Sequence, residues 1–386
     1  MAFTQRMNSS VLPLELTDRI IDFLHDDVSV LRNCSLAHRS FLPRCRYHRF
    51  RFVSLDWKTY ELFEQILTGV PELGSYVREL RISVSMFERP PTWVDESFPS
   101  IAPKLTNVTT LYLTGNGEYK AAPLQKLKSV REVFLTHCEV YSMNEFITLL
   151  GSLPNLDTIC CRDVLIGRSQ KITASPPARG MTLKKLEFSS SRLDPPMLVD
   201  WLLSESLHIH VESITIVPLQ KQALTPVGKF LEAAGPSVKH LRIALIALLV
   251  QGGFDDVLNC NFTLAHSTNL RSLEFGSPAA FAAQYAADDL SFAWVATMLQ
   301  QVSSPHIESV TFSLWDGDLN ELSSPVWDKI PVLLASQKFS SLKKLVFRVW
   351  GKPSACTIIT NAIKGKLPEF CNKGILHFDS TPDQEY

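Results

Sequence analysis

Cysteines, histidines and paired carboxylates are the side chains of this sequence that could do chemistry. The eight cysteines include no C-x-x-C pair, so buried thiols in a reducing compartment are predicted rather than disulfides or a zinc site. His208 and His210 are interpreted as part of a helix-to-strand turn and not as metal ligands. Asp255 and Asp256 lie in QGGFDDVLN, which lacks the alternating oxygen ligands and closing glutamate of a calcium loop.

Motifs of the common enzyme classes are missing as well. The chain has no G-x-x-x-x-G-K-S/T phosphate loop, no G-x-G-x-x-G after a strand and no G-x-S-x-G nucleophile elbow. We therefore expect no catalytic residue, no cofactor and no metal, and a protein that is not an enzyme.

Composition limits the partners further. The 386-residue chain is 45% apolar with a formal net charge of −1, which is typical of a globular protein and argues against a nucleic-acid-binding surface. Its N-terminus lacks the apolar core of a signal peptide. The most apolar run, residues 241–250, is about half of a membrane span and contains Arg242. We predict no nucleic acid or membrane partner and a cytoplasmic and/or nuclear location.

One short pattern, apolar-x-x-apolar-x-apolar, recurs ten times along the chain. The steps between successive copies range from 22 to 37 residues, with a mean near 29. An eleventh copy, FRFVSL at residues 50–55, lies one step earlier. The ten copies are VRELRI (77–82), VTTLYL (108–113), VREVFL (130–135), LDTICC (156–161), LKKLEF (183–188), VESITI (211–216), VKHLRI (238–243), LRSLEF (270–275), IESVTF (307–312) and LKKLVF (342–347).

This spacing predicts an α/β solenoid. The last two apolar positions of each copy are two residues apart, so a β-strand points both into the core and the residue between them toward solvent. Strands and helices that alternate at this period must form parallel strands with right-handed crossovers, in units that stack. We expect the strands on the concave side and the helices on the convex side. Helix-start signals between the copies are Asp194-Pro195, Thr225-Pro226 and Ser324-Pro325.

The hexamers resemble the leucine-rich repeat family, whose motif is L-x-x-L-x-L followed by x-x-N/C-x-L. The resemblance covers residues 77–347, and only Asn116 and Cys138 are traces of the second half of the motif. It implies an irregular leucine-rich repeat horseshoe. An all-β architecture is the alternative, although the sequence lacks the pattern of successive hairpins.

A helical segment precedes the repeats. In SSVLPLELTDRIIDFLHDD, residues 9–27, the apolar residues that follow Pro13 recur at helical spacing. Two more short helices are predicted over residues 29–37 and 40–50. Three short helices are too few to enclose a core of their own, so either the repeats or another protein must cover their apolar face. The apolar residues of the first helix are Leu16, Ile20, Ile21, Phe23 and Leu24.

The stretch LPLELTDRIIDFLHDDVSVLRNCSLAHRSFLPRCRYHRF resembles an F-box, and the chain resembles F-box proteins of basidiomycete fungi. The F-box pattern begins Leu-Pro-x-Glu-Leu/Ile, continues with Ile and Leu at helical spacing, and passes through Asp-x-x-x-Leu to a Val-Cys-Arg-x-Trp segment. LAHRSF replaces that last segment, with His38 and Phe41 at two of its positions. Residues at matching positions are Leu12, Pro13, Glu15, Leu16, Ile20, Leu24, Asp27 and Leu31.

The resemblance implies a substrate-recognition adaptor. An F-box docks on the small adaptor subunit of a cullin–RING ubiquitin ligase, and the repeats that follow capture a protein client. The alternative is a structural or scaffolding repeat protein whose N-terminal helices only cap the solenoid. The residues implied for docking are Leu12, Pro13, Leu16, Ile20, Leu24 and Leu31.

The unknown client is expected on the solvent-facing side of the strands, where Arg, Tyr and Phe are the residue types that dominate binding hot spots. A face that is merely solvated is the equal alternative. The expected division is a tail at 1–10, the F-box at 11–50, the solenoid at 51–378 and a tail at 379–386. The candidate client-binding residues are Arg81, Tyr112, Phe134, Arg162, Arg242 and Arg348.

Overall fold

The structure is a computed structural model that describes residues 13–85, 93–168, 182–189, 195–203, 208–219, 221–245, 262–276, 293–315 and 321–381. Leu12, Asp194 and the Asp255-Asp256 loop, all named in the predictions above, lie outside these residues. The chain divides into two units. The first comprises residues 1–117 and 122–130, and the second comprises residues 118–121 and 131–386.

The first unit contains three parallel strands preceded and connected by short helices. Its strands are β1 (Phe52–Leu55), β2 (Glu79–Ser83) and β3 (Thr110–Thr114). Its helices are α1 (Leu14–Phe23), α2 (Val28–Ala37), α3 (Leu42–Arg51), α4 (Tyr60–Gly69), α5 (Trp93–Glu96) and α6 (Phe98–Ile101), with 3-10 turns at Arg39–Phe41, Pro71–Tyr76 and Ala102–Lys104. The strands pair in chain order, with Leu80 of β2 opposite Val53 and Leu111.

The second unit contains two parallel sheets. Its strands are β4 (Glu118–Tyr119), β5 (Glu132–Thr136), β6 (Glu139–Ser142), β7 (Thr158–Arg162), β8 (Leu165–Arg168), β9 (Thr182–Ser189), β10 (His208–Leu219), β11 (His240–Leu245), β12 (Ser272–Phe275), β13 (Ser309–Trp315), β14 (Lys344–Trp350) and β15 (Leu376–Thr381). Within this unit the larger sheet has the order β5-β7-β9-β10-β11-β12-β13-β14-β15, and the smaller one has the order β4-β6-β8.

The helices of the second unit lie between its strands in the chain. They are α7 (Met143–Gly151), α8 (Pro195–Leu202), α9 (Lys221–Ala234), α10 (Ala293–Gln301), α11 (Val326–Leu334), α12 (Pro353–Lys366) and α13 (Pro368–Asn372), with 3-10 turns at Gly235–Ser237, Glu321–Ser323 and Gln337–Phe339.

All eleven hexamer copies form strands, as predicted. Their paired inward positions are buried, except that Val53 and Phe188 are half-buried. Every strand pairing of the described residues is parallel, so the all-β hairpin alternative is wrong. Parallel strands in chain order with intervening helices fit an α/β solenoid-like fold, and the curvature of a horseshoe stays a prediction.

A stack of phenylalanines runs through the core of the last four strands. Phe275, Phe312, Phe347 and Phe378 occupy equivalent positions on β12 to β15, with ring centroids 5.6, 5.1 and 5.9 Å apart. Each fully buried ring contributes roughly 1.5–3 kcal/mol, and the first three are buried. The repeated phenylalanine at the end of the hexamer thus fixes the register of these strands.

The same backbone hydrogen bond recurs at the residue just before each of the strands β11 to β14. The amide of the second hexamer residue donates to the carbonyl of the second residue in the preceding copy. The four bonds are Lys239 to Glu212 at 2.8 Å, Arg271 to Lys239 at 2.8 Å, Glu308 to Arg271 at 2.8 Å and Lys343 to Glu308 at 2.9 Å. Charged second-position residues therefore form a row along one edge of the sheet.

Some boundaries differ from the sequence predictions. Strand β15 continues to Thr381, so the predicted tail at residue 379 begins too early. Helix α9 begins at Lys221 rather than beside Thr225, with Pro226 inside it, and α11 begins at Val326 with Pro325 as its N-cap. His208 begins β10 and His210 follows within it, so the interpretation of these residues as a turn was wrong.

Candidate protein-binding surfaces

The three N-terminal helices form at the predicted places and enclose a small core of their own, contrary to our expectation. Ile21 of α1, Leu31 of α2 and Cys45 of α3 are fully buried at its centre. Leu24 and Phe41 pack against them and are half-buried. This core uses only one side of α1.

A second side of α1 carries an exposed apolar stripe. Leu16, Ile20 and Phe23 are 48%, 51% and 88% exposed. Their spacing of four and then three residues places them in one line along the helix. We call these three residues the α1 stripe. Since Ile21 and Leu24 already fill the small core, the stripe is an apolar surface in excess of what the three helices bury.

The structure separates the predicted docking residues into two groups. Leu16 and Ile20 belong to the α1 stripe, and Pro13 is exposed where α1 begins. Leu24 is half-buried, and Leu31 is buried in the small core. The placement of Leu31 on the docking face is therefore corrected, because its side chain is enclosed by the three helices themselves.

Further apolar residues near the α1 stripe in sequence are exposed and were not predicted as partner-binding. Leu14 precedes the stripe, and Val28 and Leu36 lie at the two ends of α2. Six of the twelve large apolar side chains that the described residues expose fall between Leu14 and Leu36. Phe23 was predicted as an apolar position of the helix, but the F-box pattern did not include it.

A partly buried ion cluster fixes the orientation of α1. The guanidinium of Arg44 donates to both carboxylate oxygens of Asp22, at 2.5 and 2.8 Å, and Nε2 of His48 lies 2.7 Å from the same carboxylate. The Arg44 hydrogen bond lowers the pKa of Asp22 to about 2. Because Asp22 lies between Ile21 and Phe23 in the chain, this link to α3 holds Ile21 inward and Phe23 outward.

Asp27, the acid of the F-box-like pattern, has a local structural role. Its carboxylate accepts hydrogen bonds from the backbone amide of Val30 at 2.9 Å and from the hydroxyl of Ser29 at 2.8 Å. The backbone hydrogen bond lowers the pKa of Asp27. Asp27 is therefore the N-cap of α2 and positions the helix that supplies Leu31.

Two predicted client-binding residues of the first unit, Arg81 and Tyr112, form an aromatic and cationic stack with Phe52, which was not predicted. The guanidinium carbon of Arg81 on β2 lies 5.3 Å from the ring centroid of Phe52 and 5.6 Å from that of Tyr112. These residues occupy the solvent-facing side of β1, β2 and β3. The arrangement is a cation–π sandwich whose components are held in place by neighbouring strands.

Arg162 of the second unit pairs with a buried carboxylate. Its Nε donates to Glu187 at 2.7 Å, and the ammonium of Lys185 lies 3.2 Å from the same residue, which is 5% exposed. Burial raises the pKa of Glu187, but the two cations outweigh it and the net shift is downward. Arg162 and Lys185 therefore both stabilise the charged form of Glu187.

Arg242 and Arg348 share a second acid. Nη1 of Arg348 donates to Glu274 at 2.9 Å, as does the hydroxyl of Ser313. Nε of Arg242 lies 3.0 Å from the same oxygen, but its N–H direction makes this an ion pair without a hydrogen bond. This network links four consecutive strands, β11 to β14. The remaining predicted residue, Phe134, is half-buried on β5.

Glu187 and Glu274 occupy positions that the hexamer pattern predicts to face solvent, but their pairing with the arginines was not predicted. Both occupy the fifth position of a hexamer, LKKLEF or LRSLEF, where the adjacent copies carry Cys160 and Thr215 or Arg242 and Thr311. The register confirms that Arg242 and Glu274 stand opposite each other. An acid facing a base at the same hexamer position in consecutive copies is the signal that could have identified the pair.

Comparisons with known proteins assign this chain to no family. No protein-family model matches it, and no curated protein matches it. A solved structure from Bacteroides fragilis is 13% identical over 87% of this chain and 75% of that chain, with a TM-score of 0.36. An internalin from Listeria monocytogenes is 13% identical over 85% of this chain and 89% of that chain, with a TM-score of 0.31. TM-scores this low do not support an assignment of the fold. The assignment of an α/β solenoid-like fold therefore rests on the strand order of this chain.

The described residues offer neither a membrane-spanning helix nor a metal site. No helix among them is long and apolar enough to cross a bilayer, and no group of three His, Cys, Asp or Glu side chains among them could hold a metal ion. His210 lies 3.7 Å from Glu212, an acid next to the histidines that the sequence interpretation overlooked. Two residues are too few for a metal site.

Proposed function

We propose that this chain is a protein-binding repeat protein that recognises substrates for a cullin–RING ubiquitin ligase. In this proposal α1 docks on the small adaptor subunit of the ligase, and the solvent-facing side of the strands captures a protein client. The F-box-like sequence suggests the identity of the docking partner. The α1 stripe is the single observation that carries the proposal.

The free energy available at the α1 stripe is large enough to matter for binding. Full burial of a large apolar side chain contributes roughly 1.5–3 kcal/mol, so covering the exposed parts of Leu16, Ile20 and Phe23 contributes on the order of 4 kcal/mol. A micromolar complex requires about 8 kcal/mol. The α1 stripe therefore supplies a central anchor, to which the rim of an interface adds.

Helix α3 has a different role from α1. Its Arg51 carbonyl accepts a hydrogen bond from the amide of Arg78 at 2.9 Å, and the Arg51 side chain lies 3.3 Å from Glu79 of β2. Arg46 lies 3.9 Å from Glu72 of the following 3-10 turn. Helix α3 thus attaches the helices to the strands of the first unit, which leaves α1 available for a partner.

The attachment of α3 also favours the second candidate function. A structural or scaffolding repeat protein needs a cap on its first strand, and α3 provides contacts of that kind. Capping does not require the exposed Phe23. The two functions differ in their predictions, since a cap alone predicts that the wild-type chain does not bind the adaptor subunit.

Titration of the full chain with the purified adaptor subunit tests the proposal. The variant Ile20→Asp/Phe23→Asp should stay folded, because both side chains face solvent, and should lose affinity by about a hundredfold or more. Val332→Asp is the matched control, because Val332 is a 72% exposed apolar residue on α11. Leu24 is left intact, since its half-buried side chain supports the small core.

Each outcome of this titration supports one of the two candidate functions. Loss of binding in the α1 double variant, with Val332→Asp unchanged, supports docking through α1. If the double variant is folded and binds the adaptor as the wild type does, or if the wild type does not bind, the docking proposal is rejected and the scaffolding function takes its place.

A further inference from the structure

A polar groove crosses the strand entries of β11 to β14 in the second unit. Its volume is about 660 Å³. Ser272 and Ser309 form its floor on the two central strands, where their small side chains leave space. His240 on β11 and Lys344 on β14 stand in register with these serines and form the two walls. Three strand spacings of about 4.8 Å make it roughly 14 Å wide. We call it the basic groove.

The charges around the basic groove do not balance. Glu212 is paired with Lys239 at 2.9 Å, and Glu308 is paired with Lys343 at 3.4 Å. The other two cations that line it, Arg271 and Lys344, are exposed, and neither side chain makes an ion pair or hydrogen bond with any described residue. The groove therefore has two positive charges in excess of its acids.

Arg271 is also shared with a neighbouring cavity. This second cavity, of about 200 Å³, is lined by His210, His306 and Lys239 as well as by Arg271. The row of second-position residues holds Arg271 between Lys239 and Glu308 through backbone bonds of 2.8 Å on each side. The backbone of Arg271 is thus fixed by the sheet, and its guanidinium lines both cavities.

We propose that the basic groove binds a short extended peptide segment that carries acidic side chains. Arg271 and Lys344 are two strands apart, or about 10 Å, which is close to three residues of an extended chain at roughly 3.3 Å per residue. Acids two or four residues apart, whose side chains lie on the same side of an extended chain, therefore suit these two cations, which have no side-chain partner among the described residues. This inference rests on the client-binding half of the proposed function and names the chemistry of the client.

A peptide fits the basic groove better than a nucleic acid does. A nucleic acid carries a charge at every phosphate, so its backbone would also meet Glu212 and Glu308 in the lining, whereas a peptide can place its acids beside Arg271 and Lys344. The whole chain has a formal net charge of −1, without the excess of Lys and Arg typical of nucleic-acid-binding proteins. Ser272 and Ser309 offer hydroxyl groups that can hydrogen-bond to a peptide backbone.

Fluorescence anisotropy with the full chain tests this inference. The probes are a labelled glutamate-rich peptide, its glutamine counterpart of equal length, and an oligouridine RNA. We expect the glutamate peptide to bind at low salt, the glutamine peptide not to bind, and added salt to weaken the complex. The variant Arg271→Glu/Lys344→Glu should reduce the affinity for the glutamate peptide about tenfold, because two attractive charges become repulsive.

A matched control and a separate readout keep the two proposals distinguishable. Lys329→Glu reverses an exposed cation on α11 outside the groove and should leave peptide binding unchanged. The groove variant should bind the adaptor subunit normally, and Ile20→Asp/Phe23→Asp should bind the peptide normally. The inference is overturned if the glutamate peptide does not bind, if the groove variant binds it as the wild type does, or if the RNA binds more tightly and depends on the same two residues.

Discussion

The α1 stripe and the charged face of β7 to β14 are both exposed to solvent. They differ in whether their side chains already have partners within the chain. Phe23 on α1 is apolar and gains free energy only when another surface covers it. On the strands, Arg162 already pairs with Glu187 and Arg348 with Glu274. Exposure alone therefore does not identify a binding residue. Among the described residues, the α1 stripe and the pair Arg271 and Lys344 combine exposure, the lack of a side-chain partner and clustering at one surface, and these are the residues that we propose as binding residues.

The largest expected effect comes from neighbouring residues on the two sides of α1. Ile21→Asp places a charge in the small core and should destabilise the three helices by about 3 kcal/mol or more. Ile20→Asp, one residue earlier, should change stability by no more than about 0.5 kcal/mol. Chemical denaturation followed by circular dichroism compares them. Equal losses of stability would show that the two sides of α1 do not differ as described.

A smaller effect is expected at the ion pair of the strand face. Arg162→Glu leaves buried Glu187 beside a like charge, and we expect a loss of about 2 kcal/mol, limited by the solvent exposure of Arg162 itself. Lys329→Glu is the control and should be close to neutral. The free energy of unfolding measures both. If Arg162→Glu left the free energy of unfolding unchanged, its ion pair with Glu187 would not contribute to stability. Arg162 would then be available to a client, as first predicted.

A weaker effect is expected when acid protonates Asp22, whose ion pair with Arg44 links α1 to α3. The pKa of Asp22 is lowered from 3.8 to about 2, so its stabilising effect is present above pH 3.8 and is lost as the pH falls toward 2. The effect is less than about 1 kcal/mol, because 39% of the side chain is exposed. The stability difference between wild type and Asp22→Asn should therefore shrink over that pH range. A difference that stays constant from pH 4 to pH 2 would contradict the ion pair between Asp22 and Arg44.

The smallest effect concerns the thiols, which probe burial within the second unit. Burial raises the pKa of Cys138 and of Cys160 to about 12, whereas Cys371 is exposed. Iodoacetamide should modify Cys371 rapidly and leave Cys138 and Cys160 unmodified until the protein unfolds. Mass spectrometry of the native protein gives the answer, and rapid labelling of Cys160 would contradict its place beside Glu187.

Strand positions could be predicted because burial on one side of a strand leaves a direct trace in the sequence. Each hexamer alternates apolar and polar residues at the period of a strand, and the phenylalanine stack preserves the pattern to β14. The signal ends at β15, where Lys373 stands in the first apolar position of the pattern. Strands β4, β6 and β8 lie outside the hexamer copies, so the repeat did not indicate them.

The binding surfaces were harder to predict, because they depend on which side of an element faces inward. The apolar residues of α1 extend around more than one side, so spacing alone does not show that Ile21 is covered and Ile20 is not. The partner of Arg242 became visible only when the strand register placed Glu274 opposite it. The family pattern included Leu31 by its position, although its side chain fills the small core.

Hydroxyl-radical footprinting of the full chain with and without the adaptor subunit tests the central claim most directly. The account predicts that Phe23, the most exposed residue of the α1 stripe, becomes protected together with Leu16 and Ile20, while Val332 reacts equally in both samples. Unchanged reactivity at Phe23 under saturating adaptor subunit would contradict docking through α1.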